Sequence, residues 1–149
     1  MAISKIFRRL AALLLCAAAF GCAESLPEVV MYKDPDCGCC GAWAERMEAA
    51  GFRVKTVATR ELDAVKQRFA VPPRLEACHT ATVAGYVVEG HVPPADVKRL
   101  LKERPALTGI AVPGMPAGSP GMETPGRKDP YDVIAFDATG GRAVFASHR

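Results

Sequence analysis

A chain of 149 residues, half of them hydrophobic, has the length and apolar content of one domain with an ordinary core. Its 19 basic and 16 acidic side chains give a formal charge of +3, and Lys5, Arg8 and Arg9 near the start account for the excess. The remainder is neutral, without a basic stripe or an interleaved aromatic run, which argues against a nucleic-acid partner.

The three early cations precede the apolar run Leu10–Phe20, which is too short to span a bilayer and has the make-up of an export signal. Residues 1–23 are expected to be a signal peptide cut before Glu24, with Gly21-Cys22-Ala23 supplying the small residues at the cleavage site. The alternative is a lipoprotein leader of residues 1–21. Ala19-Phe20-Gly21-Cys22 resembles a bacterial lipobox, although Phe20 is bulkier than usual there, and Cys22 would then carry a lipid anchor. Either route puts residues 28–149, read as a single domain, in the periplasm or otherwise outside the cytoplasm. Of six cysteines, Cys16 and Cys22 fall to the leader, leaving Cys37, Cys39, Cys40 and Cys78.

After a short linker, Val29 to Lys33 is apolar and β-branched and reads as a strand. Asp34-Pro35-Asp36-Cys37-Gly38-Cys39-Cys40-Gly41 follows as a turn. A helix is expected over Ala42 to Ala50, with Trp43, Met47 and Ala50 on one face and Gly51 as its terminating residue. Phe52 to Val57 alternates as a second strand. Thr59 suits the cap of a helix from Arg60 to Ala70, with Leu62, Val65 and Phe69 as its apolar stripe and Val71-Pro72-Pro73 as its stop. Thr82 to Glu89 is strand-like, and Gly90 turns the chain into His91-Val92. A helix starts at Pro93-Pro94, buries Val97, Leu100 and Leu101, and ends at Pro105. From Thr108 to Pro130 glycine and proline dominate, with Met115 and Met122 among them, and no period is visible. Tyr131 to Phe136 and Ala143 to Ala146, joined by Gly140-Gly141, read as a β-hairpin. The order predicts an α/β fold: a thioredoxin/glutaredoxin-like small mixed sheet with flanking helices, extended by the C-terminal β-hairpin and the Gly/Pro/Met-rich loop.

The chemistry concentrates where the first strand hands over to a helix. Backbone N–H groups and the helix dipole favour thiolates there, and thiolates either bind soft metals or attack disulfides. Cys37 and Cys40 stand three apart, so their sulfurs converge, with Gly38 easing the bend. A structural disulfide is the plainer reading. Adjacent cysteines such as Cys39 and Cys40 pair poorly, which leaves Cys37–Cys40 and Cys39–Cys78, or a similar pairing, as the limit. Cys78-His79 precedes a strand and is expected to pack against the cysteine turn, completing a set of three thiolates and one imidazole that suits Cu(I) or Zn(II). His91 reads equally as a turn residue or a ligand. Met115 and Met122 are thioethers able to cover a Cu(I) site, although most methionines only pack. Asp34 and Asp36 read as turn and cap residues, and Trp43 as core or a lid over the thiols. The segment Cys78-His79-Thr80-Ala81-Thr82 has no proline where thioredoxin-type enzymes place a cis-proline against their cysteine pair, which favours chelation over disulfide exchange.

Four motifs agree in order with a known family. Asp36-Cys37-Gly38-Cys39-Cys40 with Trp43, Cys78-His79-Thr80-Ala81, Gly85 through Pro93, and Ala111 through Pro116 continuing in Gly118 through Glu123 resemble the exported bacterial family called domain of unknown function 411. Its members are usually described as metal-binding and often accompany copper-resistance systems. The resemblance implies copper binding, other periplasmic copper-handling proteins as partners, and a metal set drawn from Cys37, Cys39, Cys40, Cys78, His79, His91, Met115 and Met122. The leading expectation is Cu(I) held by Cys37, Cys40 and Cys78 or Cys39, for sequestration or transfer. A thiol–disulfide oxidoreductase using Cys37 and Cys40, and a structural Zn(II) site, are the alternatives, so a catalytic role is the lesser expectation. All of these readings need Cys78 to lie beside the cysteine turn.

Overall fold

The computed structural model describes residues 25–149. The expected leader, with Cys16 and the lipobox cysteine Cys22, lies outside the described residues. No helix among the described residues is long and apolar enough to cross a membrane.

Alternation in the first strand, β1 (Val29–Lys33), sends Val29 and Met31 into the core. Helix α1 (Gly38–Ala49) follows and lays Cys40, Trp43, Ala44 and Met47 on the same core. It begins four residues before the expected Ala42. Glycine and cysteine are weak helix formers, but burial of Cys40 and Trp43 outweighs that propensity. Gly51, at φ 96°, ends the turn after Ala50 as expected. Strand β2 (Val54–Ala58) runs parallel to β1. Helix α2 (Leu62–Arg68) is shorter than predicted. Thr59 accepts from the Glu61 N–H at 3.0 Å, turning the chain ahead of the helix rather than capping it. The expected stripe of Leu62, Val65 and Phe69 is only half-buried, and the fully buried residue of this helix is Lys66.

The predicted single strand Thr82 to Glu89 is a hairpin, β3 (His79–Val83) and β4 (Tyr86–Glu89). Ala84 and Gly85 both take positive φ (47° and 88°), the backbone of a tight two-residue hairpin turn. Ala-Gly lacks the usual Asn-Gly signal, and apolar residues on both sides masked the break. Helix α3 (Pro94–Glu103) matches its prediction. Strand β5 (Gly109–Ala111) lies within the stretch read as patternless. Three residues buried between two neighbours carry no period, so only pairing defines them. The C-terminal strands β6 (Tyr131–Phe136) and β7 (Arg142–His148) form the expected hairpin. They are part of the main sheet rather than an appendage, because β6 pairs with β5.

One seven-stranded mixed sheet results, in the order β2-β1-β3-β4-β5-β6-β7. The β1/β2 and β4/β5 pairs are parallel, each bridged by a helix, and the rest are antiparallel. Antiparallel pairing sets Lys33, at the end of β1, opposite His79, at the start of β3. Gly90, just past β4, donates to the His79 carbonyl at 3.0 Å. The cysteine turn, Cys78 and His91 therefore leave the sheet at the same end.

Candidate metal centre

The turn after β1 is built by Asp34. Its carboxylate accepts from the Asp36 N–H at 2.8 Å, and its carbonyl accepts from the Cys37 N–H at 3.1 Å. Cys37 becomes the N-cap residue of α1 with no side chain capping the helix, so Asp36 does not cap it. Asp36 instead pairs with Arg60 at 3.1 Å on the surface. Cys37 and Cys40 form a disulfide with Cα atoms 5.5 Å apart. Cys39 and Cys78 are free thiols. The Cys39 sulfur lies 3.5 Å from that of Cys37.

Cys78 comes to the same place from β3. The sulfurs of Cys37, Cys39, Cys40 and Cys78 all lie within 4.8 Å of one another. Cys78 also belongs to a second group of the same compactness with His79 and His91. Its sulfur is 2.9 Å from His91 Nε2 and 3.5 Å from His79 Nδ1. His91 Nδ1–H donates to the Pro120 carbonyl at 2.7 Å, which leaves Nε2 bare toward the sulfur. Both imidazoles are fully buried. Trp43 packs against His79 with the rings tilted at 46° and centroids 4.5 Å apart, and the His79 ring meets that of His91 edge-on at 5.1 Å. Trp43 is fixed in turn by its Nε1–H donating to the Val92 carbonyl at 2.9 Å. His79 Nε2, on the other side of the ring from the nitrogen that faces Cys78, is buried without a partner.

Two charged groups that the sequence reading did not single out support this arrangement. The buried Glu89 carboxylate accepts from the Ala77 N–H at 2.7 Å and the Thr80 hydroxyl at 2.6 Å, gripping both sides of Cys78-His79. Lys66 pairs with it at 2.5 Å. The loop expected to be patternless runs past the cysteine helix, and its carbonyl at Pro120 is the one that holds His91. Gly121, at φ 83°, makes the approach feasible: a Cβ there would sit 2.6 Å from Trp43 N and 2.9 Å from Cys39 O. Met122 is half-buried at the end of this passage, and Met115 stands 53% exposed. The clustered donors are thus Cys37, Cys39, Cys40, Cys78, His79 and His91.

Burial controls the protonation of the free donors. It holds His79 well below, and His91 below, the ordinary imidazole value of 6.5, so both are neutral with lone pairs available at neutral pH. It pushes the Cys78 thiol up to about 12, reinforced by Cys39. These shifts have opposite consequences for stability. The unfolded chain takes up imidazole protons below about 6.5 that the folded state refuses, and it sheds the Cys78 proton above about 9 while the folded state keeps it. Folded-state stability of the metal-free protein should therefore fall on both sides of that window. Each proton difference contributes a slope of about 1.4 kcal/mol per pH unit. Glu89 opposes the loss at the acid end, because burial raises its carboxyl. Denaturant unfolding from pH 5 to pH 10 checks the expectation, and a curve flat across that range contradicts it.

A mixed sheet whose end gathers thiols and neutral imidazoles around one sulfur forms a candidate thiol–imidazole metal centre on an α/β scaffold. A family model described as a protein of unknown function, DUF411, matches residues 75–122, which span Cys78, His79, His91, Met115 and Met122. The solved structure titled copper resistance protein CopG, form 2, is 43% identical, with a TM-score of 0.80, and the match covers 83% of this chain and 99% of that one. Form 1 of the same title is also 43% identical, with a TM-score of 0.78, covering 83% and 98%. No curated protein matches. The chain belongs to the copper-resistance-associated DUF411 family.

Proposed function

We propose that this protein binds Cu(I) outside the cytoplasm, in the periplasm, and sequesters it or passes it to other copper-handling proteins. The observation that carries the reading is the placement of the Cys78 sulfur within both donor groups. Soft thiolates with imidazoles suit copper better than hard cations, and His79 Nδ1 and His91 Nε2 both face the Cys78 sulfur. Cys39, Cys78, His79 and His91 offer donors with the Cys37–Cys40 disulfide closed. Its reduction adds two thiolates. Met115 and Met122 are proposed as thioether cover. The similarity to copper resistance protein CopG favours copper over zinc.

The pairing of two strand–helix–strand units about a central hairpin supports the thioredoxin/glutaredoxin-like assignment. We take residues 28–149 as one domain, with residues 1–23 removed as a signal peptide or Cys22 lipidated.

A second reading, thiol–disulfide exchange, is favoured by the disulfide at the start of α1 with the free Cys39 beside it. One set of measurements separates the readings. The reduced protein should take Cu(I) from a chromophoric chelator, and metal analysis after anaerobic growth with copper should find copper bound. If no Cu(I) is taken up while insulin is reduced, the protein is an oxidoreductase and not a copper carrier. Loss of the fold on chelation of Zn(II) would instead assign a structural zinc site.

A further inference from the structure

We propose that Arg46 and Glu123 are positioning residues for His91. Their ion pair seats the segment Gly118–Glu123 on α1, and that segment's Pro120 carbonyl fixes the imidazole with its proton on Nδ1 and Nε2 free for the metal. The metal half of this inference rests on the copper reading above, whereas the tautomer half stands on the geometry alone.

The segment has no sheet pairing to hold it. It is folded on itself by the Gly118 N–H donating to the Met122 carbonyl at 2.9 Å and the Met122 N–H donating to the Ser119 carbonyl at 2.8 Å. Such a turn could stand anywhere unless something docks it. Glu123 does so with both oxygens. One accepts from Arg46 Nε at 2.7 Å, and Arg46 is on α1 one turn beyond Trp43 and Ala42. The other accepts from the Gly121 N–H at 2.9 Å. The carboxylate thus joins the helix to the residue directly after Pro120. The close seat of Gly121 against Trp43 N and Cys39 O leaves the backbone little room to slide.

Proline contributes no N–H, so residue 120 presents its carbonyl as its sole backbone hydrogen-bonding group. That carbonyl meets His91 Nδ1 at 2.7 Å. In a neutral imidazole the nitrogen that carries the proton is set by the acceptor it finds. Metal-binding histidines are commonly oriented by such a partner on the far nitrogen. Here the far-nitrogen partner is a loop carbonyl, and the loop is held by a charge pair outside the donor cluster.

The pair is well exposed, with 54% and 47% of its side chains open to solvent, so its loss should cost little global stability. That makes the test clean. In metal-free protein, 15N spectra of the imidazoles should show His91 protonated at Nδ1. Arg46→Ala and Glu123→Ala should each give a mixture of tautomers with the thermal midpoint little changed. Each should also weaken Cu(I) binding by up to roughly fivefold in chelator competition, the most an exposed pair of this kind can contribute. Glu123→Gln keeps one accepting oxygen and puts an NH2 in place of the other, so it can accept from Arg46 or from Gly121 but not from both, and should fall between wild type and Glu123→Ala. The double alanine variant should be no worse than Glu123→Ala, because the two side chains act as one unit. An unchanged His91 tautomer in both single variants, or additive losses in the double variant, overturns the proposal. Should wild-type protein take up no Cu(I), the copper reading fails, and the tautomer spectra still decide the positioning role.

Discussion

Cys78→Ser should abolish tight Cu(I) binding while leaving the protein folded. The substitution removes one sulfur, but that sulfur serves both donor groups. Without it, His79 and His91 lose the thiolate they converge on, and the cysteine turn loses its fourth sulfur. A serine hydroxyl is a hard, protonated donor that a soft ion does not select. The loss in competition with a chelator should exceed the roughly 10–100-fold cost of removing an outer-shell partner. Cys39→Ser should be milder, because Cys78, His79 and His91 remain as a group. Cys78 is only partly buried and serine is nearly isosteric, so circular dichroism should be unaltered. Equal losses from Cys78→Ser and Cys39→Ser would mean that the imidazole group contributes nothing.

Cys78 also marks how far the sequence alone carries. A Cys-His pair just before a strand was legible as unusual, and its meeting with the cysteine turn followed from a strand order that the helical and β-branched periods indicate. His91 was legible because Gly90 marks a turn there, but no pattern says which of its nitrogens is free. That depends on Pro120, 29 residues away in a segment without period. Lys66 carries no signal in the sequence, because a lysine on a helix nearly always faces solvent. Its burial becomes visible only when β3 and β4 bring Glu89 under α2. Periodicity reports which face of an element is apolar. It is blind to a buried charge whose partner lies on another element, and to a loop whose order comes from what it touches.

That buried charge carries the second large effect. Lys66→Ala should destabilise the protein by about 3–5 kcal/mol, the cost of leaving a buried carboxylate without its cation. Lys66 is 4% exposed and Glu89 fully buried. The 2.5 Å contact between them is joined by a Lys66–Thr80 hydrogen bond at 3.2 Å. For a domain of this size the thermal midpoint should drop by roughly 10–20 °C. The pH dependence identifies the cause. Burial already raises the Glu89 carboxyl, and Lys66 is the main influence opposing it. Without Lys66 the folded state should hold a proton on Glu89 at higher pH than the unfolded chain does. Stability then rises as pH falls through the folded value, so the deficit should be smaller at pH 5 than at pH 7. Glu89→Gln placed on the Lys66→Ala background removes the stranded charge and keeps an acceptor for the Ala77 N–H, and should recover much of the loss. A deficit that is independent of pH and untouched by Glu89→Gln would assign the effect to lost packing of the lysine stem instead. The same carboxylate grips Ala77 and Thr80 on either side of Cys78-His79. Lys66→Ala should therefore also weaken metal binding in the fraction that remains folded, because the two donors would then lie on a segment free to shift.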